Sequence, residues 1–131
     1  MFMTSRILYV EDDRDSCEML GTMMSLYSDW KFSITAADSA DAALPLMEKQ
    51  AFDFYILGYK LPGISGVELC ERIGSVDSET PIVFYTGLSP TADRLQALKA
   101  GANEFLVKPN NLIKLTETVK NLLCKKQSVA A

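Results

Sequence analysis

The sequence contains no histidine. That excludes imidazole general-base catalysis and any histidine-ligated metal centre. Cysteine is scarce: Cys17, Cys70 and Cys124 stand far apart and form no C-x-x-C pair. An odd, widely spaced set suits a reducing compartment such as the cytoplasm better than a disulfide framework. No apolar run approaches the ~20 residues of a membrane-spanning helix. The opening Met1-Phe2-Met3-Thr4-Ser5-Arg6 has the pattern of neither a signal peptide nor a membrane anchor. Excess positive charge is also lacking. The chain has 13 basic and 17 acidic residues, a net charge of −4, so the global electrostatic footprint of a nucleic-acid binder is missing.

What remains is an ordinary globular composition. The chain has 131 residues, 48% hydrophobic and 23% charged, which argues against disorder. A chain of this size buries roughly two-thirds of its unfolded surface and needs no disulfide or metal staple. One domain over 1–131 is expected, with a core at about 5–124 and a short tail over 125–131.

Two kinds of segment alternate along the chain. Ile7-Leu8-Tyr9-Val10, Phe54-Tyr55-Ile56-Leu57, Pro81-Ile82-Val83-Phe84-Tyr85 and Phe105-Leu106-Val107 are short, nearly unbroken apolar runs. Such runs suit parallel strands covered on both faces. Lys31-Phe32-Ser33-Ile34-Thr35 alternates polar and apolar residues, as an edge strand with one solvated face would. Between the runs lie segments of helical period: 14–27 with Cys17, Leu20, Met24 and Tyr27; 39–50 behind a Ser39 cap; 65–73 with Val67, Leu69, Cys70 and Ile73; 90–100; and 111–124. The fourth opens with Ser89-Pro90, presents Leu95 and Leu98, and stops at Gly101. Pro45 conflicts with the second helix and should kink or shorten it. Five β-α alternations are too few for an eight-stranded barrel, so an open, doubly wound α/β sheet with helices on both faces is expected.

In such a sheet, ligands bind beyond the carboxyl ends of the strands. There the sequence places Glu11-Asp12-Asp13, Gly58-Tyr59-Lys60-Leu61-Pro62-Gly63, Thr86-Gly87 and Lys108-Pro109. Adjacent carboxylates suit Mg²⁺, which wants hard oxygen ligands. They equally suit the N-terminus of the next helix, where Asp13 or Asp15 would cap and complement the dipole.

Taken in order, Ile7 to Asp13, Leu61-Pro62-Gly63-Ile64-Ser65-Gly66, Pro81 to Thr86 and Gly101 to Pro109 resemble the receiver domain of two-component response regulators. The resemblance covers about 5–124 and implies a flavodoxin-like (βα)5 fold with strand order 2-1-3-4-5. It implies that Glu11 and Asp12 are the acidic pair that holds Mg²⁺, with the Lys60 backbone carbonyl as a further ligand. It implies that Thr86 is the hydroxyl that bonds a phosphoryl oxygen, and that Lys108 pairs with that group. Phe105 matches the aromatic that turns inward in the active state.

The family accepts phosphate on an aspartate four residues before the loop proline. Four residues before Pro62 stands Gly58, which has no side chain. Asp53 lies five residues upstream, about 17 Å back along a strand and on the opposite face. Glu68 lies ten residues downstream, inside the third helix. Neither carboxylate stands in. With a ligand missing, Mg²⁺ should bind weakly, and the Lys60 ammonium is a candidate replacement cation near Glu11 or Asp12. Gly58 is compatible with a natural pseudo-receiver or with an engineered block.

The expectation is a cytoplasmic, non-enzymatic phosphorelay receiver that is not phosphorylated at the usual site and works through protein contacts. Its partners would be a histidine kinase or an output domain, or a second copy through helix four, strand five and helix five. Neither nucleic acid nor membrane is an expected partner of this domain. Two other functions compete. A flavodoxin-like domain could bind a small phosphorylated ligand or flavin, although the acidic first loop offers no Gly-rich phosphate cradle. A Mg²⁺-dependent phosphatase would need a nucleophile, which Gly58 does not supply.

Overall fold

The computed structural model describes residues 4–26, 31–87, 91–108 and 112–130, with the side chains at 25, 112 and 125–130 outside the description. Strands β1 (Ser5–Val10), β2 (Phe32–Ala37), β3 (Phe54–Leu57), β4 (Ile82–Thr86) and β5 (Glu104–Val107) alternate with helices α1 (Arg14–Leu26), α2 (Ala40–Lys49), α3 (Gly66–Val76), α4 (Thr91–Lys99) and α5 (Leu112–Ala130). All four strand pairings are parallel, in the order β2-β1-β3-β4-β5. The flavodoxin-like expectation holds.

The central strands read as unbroken apolar runs because each is covered twice. Leu8, Val10, Tyr55, Leu57, Ile82, Phe84 and Phe105 pack with Ala40, Ala43, Leu69, Cys70, Ile73 and Ala97 of α2, α3 and α4. The alternate residues Ile7, Tyr9, Phe54, Ile56, Val83, Tyr85 and Leu106 pack with Leu20, Met24, Leu115, Val119 and Leu123 of α1 and α5. The period of two sends neighbours to opposite layers. β2 pairs with β1 only, as an edge strand, and is mostly half-buried.

Helix boundaries follow local chemistry. The Ser39 hydroxyl accepts from the Ala42 N–H at 3.1 Å and starts α2. Ser65 does the same for Glu68 at the start of α3. Gly101, at φ +115°, ends α4. Its N–H donates to Leu98 O and that of Ala102 to Ala97 O, both at 3.2 Å, the double bond of a Schellman stop.

Several expectations are corrected. α2 runs through Pro45 without interruption. The carbonyl that loses its donor is that of Asp41, an exposed residue in the first turn, where water can satisfy it. α4 turns Ala97 into the core and leaves Leu95 and Leu98 exposed. A short helix with few apolar residues gives its period little power to choose a face. The stretch 125–130, expected to be a tail, continues α5. Its Lys, Gln and Ala residues are good helix formers, and neither Gly nor Pro interrupts them. Tyr27, the Ser89-Pro90 cap and Pro109 lie outside the described residues.

Candidate functional site

Register builds the site. Val10 pairs with Leu57, Leu57 with Phe84, and Thr86 with Val107. The strands therefore end nearly level, and the residues that follow them gather on one rim. Glu11, Gly58 and Lys108 each come two positions after a residue of the α1–α5 layer, namely Tyr9, Ile56 and Leu106. Alternation gives the three the same side of the sheet.

Glu11 is 8% exposed, a buried carboxylate at the end of β1. Its Oε2 accepts from Lys108 Nζ at 2.6 Å, across 97 residues of sequence. Lys108 Nζ also donates to Ser16 Oγ at 2.9 Å and lies 5.7 Å from the centroid of the Tyr85 ring. Ser16 in turn donates to Asp13 Oδ2 at 2.9 Å. The Asp13 N–H reaches back to Glu11 Oε1 at 3.4 Å. Glu11, Lys108, Ser16 and Asp13 thus close a ring of hydrogen bonds. Asp13 also accepts the Asp15 N–H at 3.1 Å, which makes it the cap of α1. Of the two readings of the acidic triplet, the helix cap applies to Asp13.

Burial raises the Glu11 carboxyl above the ordinary carboxylate value; the Lys108 bond opposes that shift and the neighbouring Asp12 carboxyl adds to it. Asp13 moves the other way, held low first by the Ser16 hydroxyl bond. Tyr9, fully buried, has a hydroxyl with no hydrogen-bond partner among the described residues. Burial pushes its phenol well above the ordinary 10.0, so it stays neutral.

Gly58 lies beneath this ring. Its N–H donates to Val10 O at 2.8 Å. A Cβ on Gly58 would stand 3.1 Å from Glu11 Oε2, 3.3 Å from Leu61 Cδ2 and 3.4 Å from Val10 O. The acids considered as substitutes lie elsewhere. Asp53 sits at the opposite end of β3, where its Oδ2 accepts the Arg6 N–H at 2.8 Å. Glu68 pairs with Arg72 on the exposed face of α3 at 3.1 Å.

Lys60 does not take the role suggested for its ammonium. It is exposed, and among the described residues the ion pair of Glu11 is with Lys108. Asp12 is exposed as well. The Thr86 side chain is half-buried, and its backbone carbonyl accepts the Lys108 N–H at 2.7 Å. Phe105 is 4% exposed and faces the other layer, against Phe84 and Tyr59. Ser16 and Tyr59 escaped the sequence reading. Ser16 had a signal, since a hydroxyl three residues after an Asp cap is placed to bond back to it. For a metal, the rim offers Glu11 and Asp12, one of them already bonded to an ammonium, and no side chain at 58. Among the described residues no three acidic or sulfur side chains are grouped to hold an ion.

The family model of the response regulator receiver domain matches residues 7–120. The uncharacterized transcriptional regulatory protein YrkP of Bacillus subtilis is 36% identical over 107 residues, 82% of this chain and 44% of that protein. The transcriptional regulatory protein ZraR of Salmonella typhimurium is 28% identical over 125 residues, 95% of this chain and 28% of that protein. The chain thus spans less than half the length of these two curated relatives. A solved two-component response regulator from Clostridium difficile superposes with a TM-score of 0.81 at 29% identity, covering 91% of this chain and 95% of that one. A CheY-like receiver domain protein from Methanospirillum hungatei JF-1 gives 0.83 at 26% identity, covering 96% and 98%. No described helix is long and apolar enough to cross a membrane. The sheet order, the level strand ends and these matches agree: the chain belongs to the response regulator receiver domain family of two-component systems.

Proposed function

We propose that this receiver domain signals through protein contacts and accepts no phosphoryl group at position 58. One observation carries the reading: Glu11 Oε2 stands 3.1 Å from where a Cβ on Gly58 would be. The room an acceptor side chain would use is held by a carboxylate from another strand, already paired with Lys108. Backbone geometry does not explain the glycine, because the positive-φ glycines are Gly63 and Gly101. With two carboxylates, one of them neutralised, Mg²⁺ binding at Glu11, Asp12 and the Lys60 carbonyl is expected to be weak. Thr86, Phe105 and Lys108 keep the residue types of the family switch.

The partners in this reading are proteins, such as a histidine kinase or an output domain, and a second copy through α4, β5 and α5. The exposed Leu95, Leu98 and Ile113 lie on α4 and α5 and supply apolar surface for such contacts. The domain acts in the cytoplasm and is not an enzyme, since the end of β3 offers no nucleophile.

The test is intact-protein mass after incubation with Mg²⁺ and a small phosphodonor, beside Gly58→Asp. The unmodified chain should keep its mass. A gain of one phosphoryl only on the variant assigns the block to Gly58 alone. No gain on either extends the block to the wider rim. A phosphoryl gain on the unmodified chain overturns the reading.

A further inference from the structure

Tyr59 follows Gly58 and reaches from the loop after β3 to both β5 and α4. Its carbonyl accepts the Gly66 N–H at 3.0 Å, which ties its backbone to the start of α3. Its ring lies 6.1 Å from Phe84 and 6.3 Å from Phe105, edge-on to the latter at 71°. Phe84 and Phe105 are register partners and stack at 6.0 Å. Centroid separations of this size are those at which aromatic pairs attract. The Tyr59 hydroxyl then donates to Gln96 Oε1 on α4 at 2.6 Å, and the Asp93 carboxyl of the same helix also faces it.

α4 has few other attachments among the described residues. Ala97 is its buried residue, and Leu95 and Leu98 turn outward. Arg94 and Glu104 approach only to 3.9 Å, with side chains 55% and 34% exposed, and exposed pairs contribute little. Just past its C-terminal end the Cys70 thiol of α3 reaches Ala100 O at 3.5 Å, so the middle of the helix, where Gln96 lies, is the part that Tyr59 holds.

We infer that Tyr59 is the positioning residue of the α4–β5 face: its hydroxyl sets α4 and its ring closes the pocket that keeps Phe105 buried. The loop over 58–66 and this face then move as one, so whatever displaces the loop is read on α4 and β5 without a covalent mark. The inference holds whether or not phosphate is ever accepted at the rim.

Two variants separate ring from hydroxyl. Tyr59→Phe keeps the ring and removes the hydroxyl's contacts with Gln96 and Asp93; Tyr59→Leu removes ring and hydroxyl. Hydrogen exchange over 91–100 should quicken about tenfold in Tyr59→Phe, the worth of one net hydrogen bond, while β1 and β3 keep the parent rate. Gln96→Ala, which leaves Asp93 in place, should reproduce part of it, and the double variant should be no faster than Tyr59→Phe alone. The Phe105 ring signals in NMR should hold in Tyr59→Phe and shift in Tyr59→Leu. Unchanged exchange over 91–100 in Tyr59→Phe overturns the inference. So do equal acceleration throughout the sheet, multiplication of the two single effects in the double variant, and Phe105 signals indifferent to Tyr59→Leu.

Discussion

Glu11 Oε2 and the Cα of Gly58 face each other so closely that a Cβ on Gly58 would stand 3.1 Å from the oxygen. The contact is tight, yet the opposing atom is the end of a side chain that can swing. Gly58→Asp should therefore fold, with Glu11 displaced and two carboxylates competing for one ammonium. At an effective dielectric of ~20, charges about 4 Å apart interact by roughly 4 kcal/mol before relaxation. After relaxation we expect a loss of roughly 1–3 kcal/mol in metal-free buffer. Millimolar Mg²⁺ should restore much of that loss in the variant and leave the parent nearly unchanged. Thermal melts with and without the ion read both effects, and an equal Mg²⁺ response would contradict the account.

The two ends of the Glu11–Lys108 pair should not cost the same. Lys108→Met leaves a carboxylate that is 7% exposed without its cation, whereas Glu11→Gln leaves Lys108, 18% exposed, with Ser16 and the Tyr85 ring. We expect a loss of about 2–4 kcal/mol for the first and about 1 kcal/mol for the second. Urea denaturation of the two variants checks the order; a costlier Glu11→Gln would mean that the ring of bonds does not hold the carboxylate as described.

Glycines at 66 and 74 should respond oppositely to alanine. At Gly66 a Cβ collides with the Gly58 carbonyl oxygen and meets Phe84 Cε2 at 3.0 Å, whereas at Gly74 nothing lies within 4 Å. Backbone cannot swing aside, so Gly66→Ala should lose roughly 2 kcal/mol or more. Gly74→Ala, inside α3, should gain about 0.5–1 kcal/mol. Melting temperatures moving the same way would refute the comparison.

Cys70 supplies a pH dependence. Burial first, and Glu71 second, raise its thiol from the ordinary 9.0 to about 11. Its Sγ contacts Ala100 O at 3.5 Å. Between those values the unfolded chain has released a proton that the folded chain retains. The thiol therefore costs no stability below pH 9 and an increasing amount as pH rises toward 11, by at most about 1.4 kcal/mol per pH unit. Cys70→Ala should be less stable at neutral pH and should flatten that decline. A parallel decline in parent and variant would show that other groups cause it.

The sequence by itself determined the layers. Unbroken runs such as Ile7 to Val10 and Phe54 to Leu57 announce strands covered twice, because burial is a local property of residue type and period. Ser39, Ser65 and Gly101 announce helix ends for equally local reasons of hydrogen bonding and backbone freedom. The strand-end rule places Glu11, Gly58 and Lys108 on one rim for the same reason, since each directly follows an apolar run.

Only the tertiary structure decided who touches whom. Lys60 is close to Gly58 in sequence, yet the cation on Glu11 is Lys108, brought across 97 residues by the register of β1, β3, β4 and β5. Ala97 rather than Leu95 or Leu98 enters the core, because the seat of α4 follows the sheet it packs on, not its own weak period. Burial patterns can be read along one chain segment; ion pairs and ring contacts depend on the relative position of segments, and that is fixed only when the sheet closes.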